Sequence, residues 1–218
     1  MSIPIVIDVV SDVVCPWCFI GKRRLEKALA ALEGTSVAVR WRPFQLDPTI
    51  PVEGLPREEY LRRKFGPERV AENHRALLTV GALEGIDFRF DLIKRSPNTL
   101  DAHRLIQWAA DQSMEEKMVE RLFRLYFIEG ADIGNRDLLS QAAAELGLDR
   151  EEAEKFLASG DRREEVLAQV QMSSRMGVTG VPTFFIANRY AVIGAEESRY
   201  IAGAIARARA EAEQPPSA

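Results

Sequence analysis

The chain has 218 residues, 46% of them hydrophobic and 28% charged, the balance of a globular protein built as one large domain or one domain carrying an insertion. Its 29 basic and 33 acidic residues leave a net charge of −4, which gives no electrostatic case for nucleic acid or an anionic membrane surface as partner. Only two cysteines are present, so neither a disulfide scaffold nor a four-cysteine zinc or iron–sulfur site can be built.

The N-terminus carries no cationic segment, no long apolar stretch and no small-residue cleavage site, and a cytoplasmic location is expected. No stretch approaches the ~20 apolar residues of a membrane span. Alternating Ile3, Ile5, Ile7 and Val9 predict a first strand over Ile3–Val10. Pro16 opens a helix with Leu25, Leu29 and Leu32 at helical spacing, ending near Gly34, and Val37, Val39 and Trp41 alternate as a second strand. Pro43, Pro48, Pro51 and Pro56 then mark a linker.

A mostly helical block follows. Arg57–Phe65 and Pro67–Leu83 are separated by Gly66, and Ile86, Phe88 and Phe90 suggest a short extended stretch. Asn98 is expected to cap a helix running through Asp111, with Asp101 completing an acidic capping box. Helices over Met114–Glu129, Asn135–Leu146 and Asp149–Ser159 come next, with Gly130, Gly134, Gly147 and Gly160 as left-handed C-caps. Strand character returns at Thr183–Asn188 and Tyr190–Ile193, joined by a turn at Asn188-Arg189, and Glu196–Glu213 is an alanine-rich helix. The expected fold class is α/β, a mixed central sheet interrupted by an all-helical insertion. The expected division is 1–52 with 161–213 as one discontinuous unit, 53–160 as the insertion, and 214–218 as a disordered tail.

The two cysteines stand as Cys15-Pro16-Trp17-Cys18 at the junction of the first strand and first helix. Pro16 fits a first helical turn, where its missing N–H costs nothing. The free amides and the positive end of the helix dipole favour an anion there, which a Cys15 thiolate supplies. Cys18 lies one turn further on, close enough to close a disulfide and more shielded. An attacking thiol and a resolving thiol are what exchange through a mixed disulfide requires. Half of a zinc site is the rival, but its other ligands would be His74 and His103, spaced far beyond the usual interval. No metal is expected. Far along the chain, Gly177-Val178-Thr179-Gly180-Val181-Pro182-Thr183 sets a proline just before a strand.

The stretch from Ser11 to Lys22, Trp41-Arg-Pro-Phe-Gln-Leu46, Pro97–Leu105 and Gly177–Phe184 together resemble the DsbA-like thioredoxin-fold oxidoreductase family, in its FrnE-like branch. Relatives in that superfamily include 2-hydroxychromene-2-carboxylate isomerase and kappa-class glutathione transferases. The resemblance implies a thioredoxin fold, a nucleophilic Cys15, a resolving Cys18 and a cis Pro182 packed against the cysteine pair. Val181 would then pair its backbone with an extended substrate. Trp17 occupies the place where periplasmic oxidases of the family carry histidine, so a less oxidising disulfide is expected. Its role is either substrate contact or shielding of Cys18.

Asp8 and Asp12 precede the motif as candidate proton acceptors for the resolving thiol. The start of the Asn98 helix, with Asn98 and Thr99, is placed by the resemblance over the cleft as a substrate contact, and His103 on the same helix reads as packed or exposed. No bound cofactor is expected, with glutathione open as co-substrate. The partner is a disulfide-bearing protein or a small thiol, and the chain is a monomer or homodimer. The leading expectation is thiol–disulfide oxidoreductase chemistry. The alternative is a glutathione-dependent isomerase or transferase acting on a small aromatic or polyketide-like molecule, and a non-catalytic holdase is a third.

Overall fold

A computed structural model describes residues 4–32 and 34–212. Ile3, Glu213 and the predicted tail 214–218 lie outside the described residues. The chain runs β1 (Ile5–Ser11), α1 (Pro16–Ala30), β2 (Val37–Pro43), β3 (Leu55–Pro56), α2 (Arg57–Phe65) and α3 (Pro67–Leu83). Then come β4 (Arg95–Ser96), α4 (Leu100–Ala110), α5 (Glu115–Phe127), α6 (Arg136–Glu145), α7 (Arg150–Ala158) and α8 (Arg163–Arg175). It closes with β5 (Thr183–Ile186), β6 (Tyr190–Ile193) and α9 (Ser198–Ala212).

Four strands form one mixed sheet in the order β2-β1-β5-β6. β1 pairs parallel with β2 and antiparallel with β5, and β5 pairs antiparallel with β6. A parallel partner demands a crossover, which α1 provides, while the antiparallel pair needs only a tight turn. β1 is therefore paired along both edges, and its Ile7, Val9 and Val10 are buried. Strand one ends at the heart of the sheet, and the cysteine motif starts there.

Helix α1 packs against α9, whose Ile201, Ala204, Ile205 and Ala208 are buried. Gly21 makes a second approach possible. A Cβ at that position would stand 2.7 Å from Pro182 Cγ and 3.2 Å from Phe184 Cζ, so a bare helix position lets the head of β5 lie against α1. The helical block shares its core with the sheet. Phe19 stacks on Phe123 at 5.0 Å and meets Phe88 edge-on, while Trp41 on β2 meets Phe123 edge-on. Arg104, fully buried on α4, donates to Asp101 Oδ1 at 2.7 Å and to the carbonyls of Phe156, Ser159 and Asp161. These charge-assisted bonds tie α4 to the last turn of α7 and to the loop just beyond it.

Several local expectations need correction. Asn98 does not cap α4 through a capping box with Asp101. Its Oδ1 accepts from Leu100 N–H at 3.0 Å and its amide donates to Ile50 O, while Asp101 pairs with Arg104 and Arg136. Two arginines outcompete a backbone amide for that carboxylate. The hairpin turn is centred on Ala187-Asn188, one residue before the expected pair, and both residues have positive φ. Gly130 and Gly147 take the left-handed conformation, whereas Gly134 and Gly160 do not. The 86–90 stretch forms no strand ladder. It turns Ile86 and Phe88 into the core. The two-residue strands β3 and β4 pair within the otherwise helical block, too short to leave a periodic signal. By contrast Asn135 and Asp149 do cap α6 and α7, accepting from Asp137 N–H and Glu152 N–H.

Candidate active site

Cys15 occupies the N-cap position of α1 with extended backbone, and Pro16 takes the first turn. Both cysteines are free and buried. The Cys15 N–H donates to Asp12 O at 2.9 Å, and Cys18 N–H closes back on Cys15 O at 3.0 Å, which fixes the turn. The Cys15 thiol lies 3.6 Å from the Val181 carbonyl oxygen. That contact brings together two points of the chain linked only by the fold, and the Val181–Pro182 bond beside it is cis. Pro182 O in turn accepts from Gly194 N–H at 2.8 Å, tying the loop before β5 to the end of β6.

Burial pushes the Cys18 thiol well above the usual thiol range, and the neighbouring Cys15 sulfur adds to it. Ser11 and the Asp12 backbone pull weakly the other way. Ser11 was not singled out from the sequence. Its buried hydroxyl has no nitrogen or oxygen partner among the described residues and stands against this sulfur.

The predicted proton acceptors separate. Asp8 lies on β1 with its carboxylate 2.7 Å from Arg42 Nε, an ion pair away from the motif, and it does not line the cleft. Asp12 is buried beside the cysteines and lines the cleft. Its Oδ2 accepts from Leu46 N–H at 2.8 Å and its Oδ1 lies 3.3 Å from His103 Nε2. That nitrogen is also 2.9 Å from Phe44 O. Both neighbours are acceptors, so Nε2 carries the hydrogen. His103 is thus a buried partner of Asp12, a link that spans the fold and leaves no trace in local sequence.

Cys15 opens onto a cleft of about 410 Å³ between the start of α1, the β2–α2 linker, α2, α3 and the loop before β5. Trp17, 41% exposed, forms part of its rim, and Val181 and Thr99 also line it. Asn98 does not: its side chain is used holding the linker to α4, through Ile50 O, Gln45 and Leu100 N–H. Its expected companion Thr99 does line the cleft, beside Ser96 and Pro97. Most of the wall is apolar, from Leu46, Ile50, Leu61, Val70, Leu77 and Phe90. The sequence reading did not place Arg57, Tyr60, His74 or Tyr126 at the cleft, where they supply part of its polar lining. His74 stacks on Phe90 at 4.5 Å, and burial, with Arg57 nearby, holds its imidazole below the usual histidine range. Among the described residues no group of three or more His, Cys, Asp or Glu side chains is arranged to hold a metal ion, and no helix is long and apolar enough to cross a membrane.

Residues 6–206 match the family described as DSBA-like thioredoxin domain. A crystal structure of a probable DsbA oxidoreductase from Streptomyces coelicolor is 30% identical, with a TM-score of 0.87 over 98% of this chain and 93% of that one. A 2-hydroxychromene-2-carboxylate isomerase superposes with a TM-score of 0.71 at 19% identity, covering 94% of this chain and 97% of its own. The cytosolic disulfide reductase DsbM from Pseudomonas aeruginosa, solved with glutathione, gives a TM-score of 0.64 at 23% identity over 95% of this chain and 97% of that one. At such identities the last two show a shared fold.

Proposed function

The chain belongs to the family of DSBA-like thioredoxin domains, and on that premise we propose that it is a thiol–disulfide oxidoreductase working in the cytoplasm through Cys15 and Cys18. The observation that carries this reading is the Cys15 thiol at the start of α1, facing the Val181 carbonyl and opening onto the cleft. Two thiols one helical turn apart, one reaching the cleft and the other deeper, divide the work between them.

In the proposed reaction the Cys15 thiolate attacks one sulfur of a substrate disulfide. That S–S bond breaks, the departing sulfur leaves as a thiolate and takes a proton, and a mixed disulfide forms on Cys15. Cys18 then loses its proton and attacks the Cys15 sulfur, releasing the second substrate thiol. Two electrons pass from the Cys15–Cys18 dithiol to the substrate, and a second thiol reductant such as glutathione restores the pair. Cys15, at the N-cap of α1 and open to the cleft, is the attacking sulfur in this reading. Val181 and Pro182 orient the partner, and Trp17 and Thr99 contact it. Asp12, linked to His103, is the candidate proton acceptor nearest the pair, whereas the ion pair with Arg42 removes Asp8 from that role. The sheet unit, 1–52 with 161–213, carries the thiols in this reading, and the insertion 53–160 supplies most of the cleft wall.

The test is insulin reduction with dithiothreitol or glutathione as donor. Cys15→Ser should abolish turnover, and Cys18→Ser should accumulate a mixed disulfide on Cys15. Undiminished reduction by Cys15→Ser would overturn the proposal. A second reading, glutathione-dependent isomerisation of a small aromatic molecule, draws support from the apolar cleft, which suits a small molecule better than a peptide. Saturable binding of reduced glutathione, unchanged in Cys18→Ser and coupled to isomerase activity without dithiol turnover, would favour it.

A further inference from the structure

Among the described residues that line the cleft, Arg57 is the one arginine. Arg23, Arg24, Arg42, Arg104 and Arg136 each pair with a carboxylate. Arg57 has no carboxylate within 4.0 Å among the described residues, although its side chain is half-buried. Its Nη1 donates to Tyr126 Oη at 2.7 Å, and its Nε is buried without a partner. Ser96, 3% exposed, lines the same cleft with a buried Oγ that faces the Tyr126 hydroxyl and makes no close hydrogen bond. The other cation there, Lys64, is already committed to Tyr60 Oη at 2.7 Å and to Asp47. An unmet buried donor costs about 1–3 kcal/mol, more when it is charged, so this corner gains by taking up an anion.

Arg57 also has a defined place relative to the thiol. Together with Leu61, Val70, His74 and Phe90 it lines a second cavity of about 300 Å³, which neither cysteine reaches. These residues therefore form the end of the cleft remote from Cys15. Glu58 and the guanidinium of Arg62 also line that second cavity, and neither lines the main cleft, where Arg57 offers the one guanidinium and its planar fork matches a carboxylate.

We propose that Arg57, with Ser96 and Tyr126, is a carboxylate-binding subsite at the remote end of the cleft, and that it selects a small apolar carboxylate as substrate. The body of that molecule, aryl or alkyl, fills the wall of Leu61, Leu77 and Phe90, and its sulfur is presented to Cys15. This last point rests on the oxidoreductase reading above, and the subsite itself does not.

The two are separated by a probe without sulfur. Calorimetry of the reduced protein with 2-naphthoate and with its neutral counterpart 2-naphthylmethanol should show the carboxylate binding at least about tenfold more tightly, as expected for a charge-assisted bond. Arg57→Gln should erase that preference while Arg57→Lys keeps part of it, and Cys15→Ser should leave it intact. Equal affinity for the two probes in the wild-type protein, or a preference unchanged in Arg57→Gln, would overturn the subsite. The wild-type comparison needs no variant to fold. Failure of insulin reduction beside a retained naphthoate preference would refute the oxidoreductase reading alone.

Discussion

Cys18 is the side chain whose protonation the fold alters most plainly. Burial raises the pKa of its thiol, so the folded protein holds the proton where the unfolded chain releases it. The sign follows: this contribution to stability is complete below the unfolded thiol's pKa, about 8.5–9, and is lost as pH rises beyond it. Above about pH 9 the reduced protein should lose up to ~1.4 kcal/mol per pH unit relative to Cys18→Ala. Urea unfolding of both proteins under reductant between pH 7.5 and 10 measures the difference, and parallel profiles would contradict it. At this scale the pair Cys15 and Cys18 was legible because their chemistry is encoded by adjacent positions. Arg57, Ser11 and the His103–Asp12 contact were not, since each acquires its meaning from a neighbour that only the tertiary fold supplies.

Helices α2 and α3 match the ranges expected from apolar spacing and the Gly66-Pro67 break, since long periodic segments carry their own signal. What escaped was shorter or decided by competition. β3 and β4 have two residues each, and the Asp101 half of the expected capping box was lost to two arginines while Asn98 kept the Leu100 N–H. Gly21 belongs to α1 as a helix-weakening residue whose reason appears only across the gap to β5. Alanine there should gain about 1 kcal/mol of helix propensity. Its Cβ would stand 2.7 Å from a ring carbon of Pro182, and overpacking of this kind costs about 1–3 kcal/mol. The steric cost should win because a change of ring pucker moves only Pro182 Cγ, while Pro182 Cβ and Phe184 Cζ still crowd the added methyl at 3.4 and 3.2 Å. Gly21→Ala is expected to lower stability by up to about 2 kcal/mol net, seen as an earlier urea midpoint. A midpoint raised above wild type would show that the α1–β5 contact yields more readily than its geometry implies.

Across the whole molecule, the sheet and the helical block share one core through Phe19, Trp41, Phe88 and Phe123, and the cleft opens where they meet. The order of strand, cysteine motif, helical block and proline-headed strand was enough to read the fold class. The character of the cleft was not, because its walls come from five separate stretches of chain. The central claim is that Cys15 and Cys18 act as one two-electron couple, and equilibration with glutathione redox buffers of graded ratio tests it most directly. With thiols counted by alkylation and mass spectrometry, the account predicts one cooperative transition to an intramolecular Cys15–Cys18 disulfide. Its midpoint should lie on the reducing side of about −200 mV, away from the strongly oxidising value near −120 mV. Independent glutathione adducts on the two cysteines, with no intramolecular disulfide at any ratio, would contradict it.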